Sequence, residues 1–423
     1  MDFRTLPQTG PFRLDNITVP AALLGHAGDL TRHSLAIADG RITDAREGPV
    51  IDMGRALVLP CFIDMHTHLD KGHIWPRSPN PDGSFMGALG TVAEDRATNW
   101  SAGDVRTRMD FALRCAYAHG TRAIRTHIDS LAPQDAISWP VFAELRAEWA
   151  GRIALQGASL AGIDRADLEG DYARTADLVA RHGGVLGMVT YPVEDLRARV
   201  RALFRLAMDR GLELDFHADE TANPDAATLR VIAETAIEMG FERPITVGHC
   251  CSLATQPEDE ALRTLDLVAK AGLNIVSLPM CNMYLQDRSA GRTPRWRGVT
   301  LVHEMGARGI NVAFASDNTR DPFYAYGDLD MLEVLREATR IAHLDHSDPG
   351  WINAVLANPA RACGFPTPSL APGAPADLVI LRARNWTEAL SRPQSDRIVL
   401  RAGRAIDRQL PDYAELDHLM RTA

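Results

Sequence analysis

Lysine is nearly absent from this chain, since Lys71 and Lys270 are the only lysines among 45 basic residues in 423. A mechanism that needs a lysine therefore has only two positions to use. The formal net charge is −10, and no stretch of the chain is rich in basic residues. Because binding to a nucleic-acid backbone needs a positively charged stripe, we expect no nucleic-acid partner.

Long apolar runs are missing as well. No run approaches the roughly 18 residues that a membrane-spanning helix needs, so we expect no membrane partner. The first residues, Met1-Asp2-Phe3-Arg4, carry an acid and precede no apolar core of a signal peptide. Six cysteines without any CxxC spacing do not make a disulfide scaffold in a chain of this length. We therefore interpret the chain as a cytoplasmic protein with reduced thiols.

Short apolar runs and helical patterns alternate through the middle of the chain. The runs that predict buried strands are Leu59–Met65, Ala123–Ile128, Ile153–Ser159, Val185–Tyr191, Leu212–His217, Ile245–His249, Asn274–Leu278 and Asn311–Ala315. Between them, apolar residues recur three and four positions apart, as at Val200, Leu203 and Phe204, which is typical of amphipathic helices. Eight strands that alternate with helices predict an α/β fold, a (β/α)8 TIM barrel over residues 59–365.

The two ends of the chain have a β pattern instead. Leu35 to Ile42 contains Asp39-Gly40, a strong hairpin signal between two alternating segments. Near the other end, a proline-rich stretch precedes two apolar segments, Ala376–Leu381 and Ile398–Arg404. Neither end has enough apolar residues for a core of its own. We therefore predict one small β-sandwich domain built from both termini, residues 1–58 and 366–423.

Polar residues end several of the predicted barrel strands, and the carboxyl ends of barrel strands are where active sites lie. His66 and His68 are two residues apart, so both imidazoles point to one face of the first strand. By itself this pair is also compatible with two histidines of a polar loop. With His217 and Asp317, which end later strands, it predicts a site for one divalent Zn(II) or Fe(II) ion with an open position for water.

Two further residues near these strand ends have the chemistry of proton transfer. Glu220 follows His217 by three residues, where a carboxylate can serve as general acid and base. Its alternative is a helix-start glutamate that the helix dipole favours. His249 ends the sixth strand and, together with Asp317, would orient the attacking oxygen, or else it is a core histidine. His127, at the end of the second strand, is predicted to lie behind the metal ligands.

The segment from Leu59 to Asp70 resembles the first-strand motif of the amidohydrolase superfamily. Segments 125–129, 215–220, 282–286 and 321–324 resemble the bacterial cytosine deaminase branch. The run from Ser316 to Asp321 is also similar to the branch that includes N-isopropylammelide amidohydrolase, which hydrolyses alkylamino groups on s-triazine rings. The resemblance extends from about Pro60 to Arg404, over nearly all of the barrel and the last β segment.

This resemblance implies a metal-dependent hydrolytic deaminase of a small nitrogen heterocycle, cytosine or a substituted cytosine such as 5-methylcytosine. It implies that metal-bound hydroxide attacks an amidine-like ring carbon and that ammonia leaves. The metal ligands would be His66, His68, His217 and Asp317. Glu220 would be the proton shuttle and His249 the residue that activates water. Members of the superfamily often associate, so the resemblance also implies a homo-oligomer.

Two positions depart from the cytosine deaminase pattern. Leu160 stands where those enzymes carry a glutamine that reads the pyrimidine amide edge, and Asn318 stands where they carry a second aspartate. Losing a bidentate amide from a buried pocket costs roughly 1–3 kcal/mol for a substrate that needs it, so we expect weak activity on cytosine itself. Gln156 would replace that glutamine only if the strand register shifted.

Phe323 and Lys71 complete the candidate substrate-binding residues. Phe323 belongs to the last of the resembling segments, and Lys71 directly follows the metal motif. Lys71 would contact an anionic or carbonyl group of the substrate, or would form an ion pair with a neighbouring carboxylate. Binuclear members of the superfamily bridge two metals with a carboxylated lysine at the end of the fourth strand. Val185–Tyr191 contains no lysine, which favours one metal ion per chain.

Two alternative functions remain at this point. The same scaffold would also support hydrolysis of a cyclic amide or of an N-alkylamino group on a triazine-like ring. A function of a different class is a non-catalytic barrel that binds a metal or ligand. Glu220 distinguishes the classes, because a binding protein has no need of a proton shuttle beside an open metal site.

Overall fold

The structure is a computed structural model that describes residues 5–45, 47–166 and 170–420. Met1 to Arg4, on which the predicted absence of a signal peptide depends, lie outside the described residues. Among the described helices, none combines the length and the apolar character that crossing a membrane requires. All six cysteines are buried and unpaired.

The elements alternate along the chain as the sequence predicts. The strands are β1 (Phe12–Pro20), β2 (Leu30–Ala38), β3 (Arg41–Thr43), β4 (Val50–Asp52), β5 (Leu57–Pro60), β6 (Phe62–Thr67), β7 (Thr121–Asp129), β8 (Ala154–Leu160), β9 (Leu186–Thr190), β10 (Leu214–Ala218), β11 (Ile245–His249), β12 (Asn274–Ser277), β13 (Asn311–Phe314), β14 (Leu378–Leu381), β15 (Ile398–Arg401) and β16 (Arg404–Ala405). The α-helices are α1 (Phe85–Asn99), α2 (Ala102–His119), α3 (Asp135–Glu148), α4 (Asp171–Arg181), α5 (Leu196–Arg210), α6 (Thr228–Met239), α7 (Glu258–Lys270), α8 (Pro279–Leu285), α9 (Val302–Gly306), α10 (Met331–Ala342), α11 (Ala357–Cys363) and α12 (Trp386–Ser391). Short 3-10 helices span Ala21–Leu24, Ile163–Arg165, Cys251–Ala254, Leu344–His346, Pro349–Val355 and Tyr413–Leu419.

Strands β6 to β13 form a closed parallel barrel. β6, β7 and β8 pair in parallel, and so do β9 to β13. Parallel bridges from Ala158 to Val185 and from Thr67 to Asp317 join the two groups on either side. The predicted (β/α)8 barrel is therefore confirmed. Its closure brings the carboxyl ends of strands that are far apart in sequence around one mouth.

The first predicted strand is divided in the structure. Leu57–Pro60 belongs to a separate sheet, and the barrel strand begins at Phe62. Cys61 lies between them, and its amide donates to the carbonyl oxygen of Asp377 on the C-terminal segment at 2.9 Å. Pro60 lacks the amide hydrogen that a continuous ladder would need, so the chain passes from one sheet to the other at this point.

The terminal segments share one eight-stranded sheet, in the order β16-β15-β14-β5-β1-β2-β3, with β4 paired to β1. β5 runs antiparallel to β14, so strands from both ends of the chain are neighbours. The predicted hairpin joins β2 and β3, where Asp39 and Gly40 both have positive φ. A separate domain built from both termini is thereby confirmed, whereas the boundaries at residues 58 and 366 stay a prediction.

Candidate active site

Four predicted metal ligands meet at the carboxyl ends of the barrel strands. His66 is near the end of β6, His68 follows that strand, His217 is near the end of β10, and Asp317 follows β13. The Nε2 atom of His217 is 3.1 Å from Nε2 of His66 and 3.3 Å from Nε2 of His68. Oδ1 of Asp317 is 3.5 Å and 3.2 Å from the same two atoms. Three imidazoles and one carboxylate therefore converge on one point.

The protonation of these side chains suits metal binding. Burial, followed by the neighbouring charges, holds the pKa of each of the three imidazoles well below its usual 6.5. The rings are thus neutral and have a free lone pair. Both carboxylate oxygens of Asp317 are buried without a hydrogen-bond partner among the described residues. A tetrahedral ion with bonds of about 2.0–2.1 Å holds its ligand atoms about 3.3 Å apart, so this donor set fits one divalent ion.

His127 and Asp215 lie behind these ligands. The ring of His127 has its centroid 4.1 Å from that of His66. Its Nε2 is 3.0 Å from Oδ1 of Asp215, whose other oxygen accepts a hydrogen bond from Arg125 at 2.9 Å. The group of potential ligands His66, His68, His127 and His217 is wholly buried. Nε2 of His127 is already hydrogen-bonded to Asp215. The geometry therefore favours His127 as a residue that supports the metal ligands from behind, as the sequence predicts.

Glu220 and His249 lie beside the metal ligands. Burial, with a further contribution from Asp317, raises the pKa of the Glu220 carboxyl well above its usual 4.5. Its Oε1 is 3.4 Å from Nδ1 of His249. Asn282, in the middle of α8, donates from Nδ2 to both groups, at 3.1 Å to Glu220 Oε1 and 2.9 Å to His249 Nδ1. The carboxyl and the imidazole are therefore joined through one amide.

Strained backbone turns His249 and Asp317 into the mouth of the barrel. Both residues have positive φ, 69° and 65°, a conformation that costs a side-chain-bearing residue about 1–3 kcal/mol. Gly248 precedes His249, and a Cβ atom at that position would lie 3.0 Å from Cε1 of His66. A larger residue would therefore push against a predicted metal ligand. Asp219 holds the neighbouring loop, because its carboxylate accepts from the amides of Thr228 and Leu229, both at 2.9 Å.

A cavity of about 850 Å³ opens above the predicted ligands. His68, His217, Glu220, His249 and Asp317 line its floor. Of the predicted substrate-binding residues, the cavity wall includes Lys71, Leu160, Asn318 and Phe323. Gln156 lies apart from them, since its Oε1 accepts a hydrogen bond from Arg125 Nε at 2.7 Å and it does not line the cavity.

Lys71 forms the ion pair that was one of its two predicted roles. Its Nζ is 3.0 Å from Oδ1 of Asp129, which lies at the end of β7. Arg96 of α1 binds the other oxygen of Asp129 at 2.6 Å. Burial disfavours the charged amine, but Asp129 and Asp70 outweigh burial and raise the pKa of Lys71 above its usual value. One carboxylate thus holds two cations on the cavity wall.

The side chain of Asn318 is hydrogen-bonded within its own loop. Its Nδ2 donates to Oδ2 of Asp321 at 2.7 Å, and the other oxygen of Asp321 accepts from the amides of Phe323 and Tyr324. This arrangement holds the ring of Phe323 against the cavity. Phe85 of α1 contacts that ring edge to face, with centroids 5.4 Å apart.

Sequence reasoning assigned no role to several residues of this site. These are Asn282, Gln286, Asp129 and Arg96, together with the α1 side chains Phe85, Met86, Leu89, Val92 and Ala93 that line the cavity. For three of them the sequence does contain a signal. Asp129 ends a barrel strand, and Asn282 and Gln286 fall in a segment that carries the family resemblance.

Comparisons with known proteins agree with this geometry. Residues 164–406 match the Amidohydrolase family. The chain is 54% identical over 428 residues to a pterin deaminase from Rhizobium rhizogenes, and the alignment covers 98% of each chain. The structure of 5-methylcytosine deaminase from Klebsiella pneumoniae superposes with a TM-score of 0.79 at 26% identity, covering 95% of this chain and 98% of that one.

The structure of N-isopropylammelide isopropylaminohydrolase from Burkholderia multivorans superposes with a TM-score of 0.71 at 25% identity and covers 94% of this chain and 98% of that one. The matches therefore extend over the barrel and the terminal sheet together. They bear out the resemblance seen in the sequence, and with it the expectation of an enzyme. The chain belongs to the amidohydrolase family and is a hydrolytic aminohydrolase.

Proposed function

We propose that this enzyme is a metal-dependent pterin deaminase. Water would replace the exocyclic amino group on the amidine carbon of a 2-amino-4-oxopteridine, giving the dioxopteridine and ammonia. The observation that carries the substrate class is the 54% identity to a pterin deaminase across 98% of both chains. The large cavity supports it, because a fused two-ring substrate needs more room than a single pyrimidine.

The residues at the floor of the cavity would each have a different part in the reaction. A divalent ion bound by His66, His68, His217 and Asp317, Zn(II) or Fe(II) by its ligand types, would act as a Lewis acid and lower the pKa of a bound water molecule. Glu220 would take one proton from the attacking water and deliver it to the ring nitrogen, and would then take the second proton from the added hydroxyl and deliver it to the departing amino group. The raised pKa of its carboxyl suits a group that must both accept and donate near neutral pH.

His249 would stabilise the oxygen that adds to the ring carbon. Burial lowers the pKa of its imidazole to about 3, so the ring is neutral and can donate only from one nitrogen. Nε2 is buried and has no hydrogen-bond partner among the described residues. A donor placed beside the developing oxyanion favours the tetrahedral state over the bound substrate.

The cavity walls would bind the rest of the substrate. Leu160 and Phe323 offer apolar and aromatic surface to flat rings. Leu160 offers no amide to a pyrimidine edge, which weighs against cytosine as the preferred substrate. A substituted cytosine is the second candidate, because the 5-methylcytosine deaminase structure superposes over nearly the whole chain.

One metal ion per chain is part of this proposal. β9, the fourth barrel strand, contains no lysine that would become a bridging carbamate. Lys71 is paired with Asp129, and Lys270 lies at the end of α7. We expect metal analysis of the purified enzyme to give about one ion per chain, and two tightly bound ions would contradict this part of the proposal.

The test is a substrate comparison with the metal-loaded enzyme. Ammonia release would be followed with pterin, cytosine, 5-methylcytosine and N-isopropylammelide, and alkylamine release would be followed with the last. We expect the highest kcat/KM with pterin, loss of activity after removal of the metal with a chelator, and recovery when Zn(II) or Fe(II) is returned. No ammonia from pterin with either metal would overturn the pterin assignment, and alkylamine as the main product would favour the N-alkylamino alternative.

A further inference from the structure

Asn282 connects Glu220, the proton shuttle of the proposed reaction, with His249, which would stabilise the added oxygen. It is 1% exposed, and its Nδ2 lies 2.9 Å from His249 Nδ1 and 3.1 Å from Glu220 Oε1. We propose that Asn282 is a positioning residue for the deamination, which fixes the tautomer of His249 and the orientation of the Glu220 carboxyl. This inference rests on the proposed hydrolytic deamination.

The two contacts determine which way the amide of Asn282 faces. Both neighbours are acceptors, since a carboxylate oxygen accepts and a neutral imidazole has one accepting nitrogen. When Glu220 is ionised, as it must be to take a proton from water, a reversed amide would place its carbonyl oxygen 3.1 Å from a carboxylate oxygen, and the two would repel. The nitrogen of the amide therefore lies between Glu220 and His249 and donates to both.

This orientation determines the tautomer of His249. Because Nδ1 accepts from Asn282, the proton of the neutral ring lies on Nε2. His249 belongs to a group with His66 and Asp317 in which the potential ligand atoms all lie within 4.8 Å of one another. The N–H of His249 is thus available on the side of the ring away from Asn282, where the attacking oxygen is proposed to add. The other described contact of Nδ1 is Oε1 of Glu220 at 3.4 Å, so without Asn282 the tautomer would depend on whether Glu220 holds a proton.

The same helix also holds the backbone of Glu220. Gln286, four residues after Asn282, donates from Nε2 to the carbonyl oxygen of Glu220 at 3.2 Å. Gly298 packs against both residues with a φ of +75°, and a Cβ atom there would lie 2.5 Å from Cβ of Gln286 and 3.0 Å from the carbonyl oxygen of Asn282. Asn282 of α8 and the C-cap residue Gln286 therefore fix Glu220 at two points, one on the carboxyl and one on the main chain.

The test compares Asn282→Ala and Asn282→Asp with the wild type, each loaded with metal. Outer-shell hydrogen bonds in metal sites are typically worth about 10–100-fold in activity, and we expect Asn282→Ala to lower kcat by that factor. Because Asn282 does not line the cavity, KM should stay within about threefold. Asn282→Asp keeps the shape but cannot donate, so it should lose at least as much kcat, and metal content should be unchanged in both variants.

Asn311→Ala is the matched control. Asn311 is also buried, and its Nδ2 donates to Asn274 Oδ1 at 2.7 Å and to the carbonyl oxygen of Asn358 at 3.0 Å. It lies at the first residue of β13, at the opposite end of the barrel from the cavity. Its loss should lower Tm and leave kcat unchanged, which is the pattern of a structural asparagine.

Ring-nitrogen NMR of histidine-labelled protein gives a readout that is independent of turnover. With the His249 signal assigned from a His249→Gln variant, the wild type should show the tautomer protonated at Nε2, and Asn282→Ala should show a mixture. An unchanged tautomer, or an effect on kcat no larger than that of Asn311→Ala, would overturn the proposal. If the wild type prefers another substrate of the comparison above, kcat is measured with that substrate, so the pterin assignment can fail while the role of Asn282 stands.

Discussion

Burial gives Glu220 its chemistry. A glutamate on the surface is ionised at neutral pH and has little tendency to hold a proton. In this site the surrounding side chains exclude water, and Asp317 adds a like charge, so the pKa of the Glu220 carboxyl is raised well above its ordinary value. The sequence offered two interpretations of Glu220, and its place on the cavity floor favours the proton shuttle over a solvent-exposed helix start.

We expect Glu220→Gln to lower kcat by about 10²–10⁴-fold, since the amide keeps the shape and cannot carry a proton. Glu220 is not among the predicted ligands, so about one metal ion per chain should remain. The measurement is steady-state ammonia release together with metal analysis. Glu258→Gln, on the first turn of α7, is the surface control and should match the wild type. A Glu220→Gln variant within a few-fold of wild-type turnover would contradict the catalytic role.

Residues at strand ends, including the supporting His127, could be predicted from the sequence, whereas the role of Asn282 on α8 could not. His66, His68, His217 and Asp317 each follow or end an apolar run, and barrel closure then brings them together. The role of Asn282 depends on the distance between α8 and the carboxyl ends of β10 and β11. No spacing in the sequence encodes that distance. The contact of Gln156 with Arg125 has the same origin, because it depends on which strand positions face each other inside the barrel.

At the scale of elements, α1 forms one wall of the cavity. Phe85, Met86, Leu89, Val92, Ala93 and Arg96 recur at helical spacing along the face that lines it. Met86 and Leu89 are 69% and 46% exposed, so this apolar face is partly in contact with solvent. Arg96 ties the helix to Asp129 on β7. A bound substrate would cover the exposed apolar side chains and gain the free energy of removing them from water.

We expect the double variant Met86→Ala/Leu89→Ala to raise KM by roughly tenfold with little change in kcat, because the lost contacts would be equal in the ground state and the transition state. Stability should change little, since both side chains are already exposed. Met283→Ala is the matched control. Met283 is 45% exposed on α8 and does not line the cavity. Equal KM values for all three proteins would show that α1 does not contact substrate.

The role of α1 was not visible in the sequence. Its apolar residues are interrupted by glycine, threonine and alanine, so the segment lacks the strong amphipathic pattern of α5 or α7. The apolar face of α1 lines a cavity instead of packing against protein. The contacts that this face lacks would be made by the substrate. Periodicity predicts the face that packs against protein, and it gives no signal for a face that packs against a ligand.

At the scale of the whole molecule, Arg397 joins the barrel to the terminal sheet. This arginine directly precedes β15, and its guanidinium binds both oxygens of Asp330 at 2.7 Å and 2.6 Å. Asp330 is the N-cap residue of α10. Burial works against the charge of Asp330, but Arg397 and His119 outweigh it and lower the pKa of its carboxyl to about 2.

A carboxyl group with a lowered pKa stabilises the fold at pH values above its unfolded pKa of 3.8, and the stabilisation is lost as pH falls towards 2. We expect Asp330→Asn, which keeps a capping side chain, to lower the free energy of unfolding by about 2 kcal/mol at pH 7. The difference from wild type should shrink by about half between pH 6 and pH 3. Urea unfolding of both proteins between pH 6 and pH 3 measures this difference in free energy. A difference in unfolding free energy that does not depend on pH would contradict its ionic origin. The control is Asp345→Asn, an exposed position, which should unfold like the wild type across the same range.

Arginine also joins neighbouring helices of the barrel. Arg106 of α2 binds Glu148 of α3, Arg210 of α5 binds Asp177 of α4, and Arg201 of α5 binds Glu238 of α6. The guanidinium group offers several donors in a fixed fork, which suits pairs between helices. Most of these pairs are exposed to solvent, and such pairs are typically worth about 0–1 kcal/mol each.

The scarcity of lysine has a consequence for chemical labelling. Lys270 is exposed at the end of α7, whereas Lys71 is buried and held as an ammonium group by Asp129. Reagents that acylate amines need the neutral form and access to it. We expect such a reagent to modify the Lys270 side chain and to leave Lys71 intact, which peptide mass analysis after cleavage at arginine would show. Equal modification of both lysines would contradict the burial of Lys71. Lys270, on the outside of the barrel, would then be the one lysine side chain that carries a dye or surface linker, with the active site untouched.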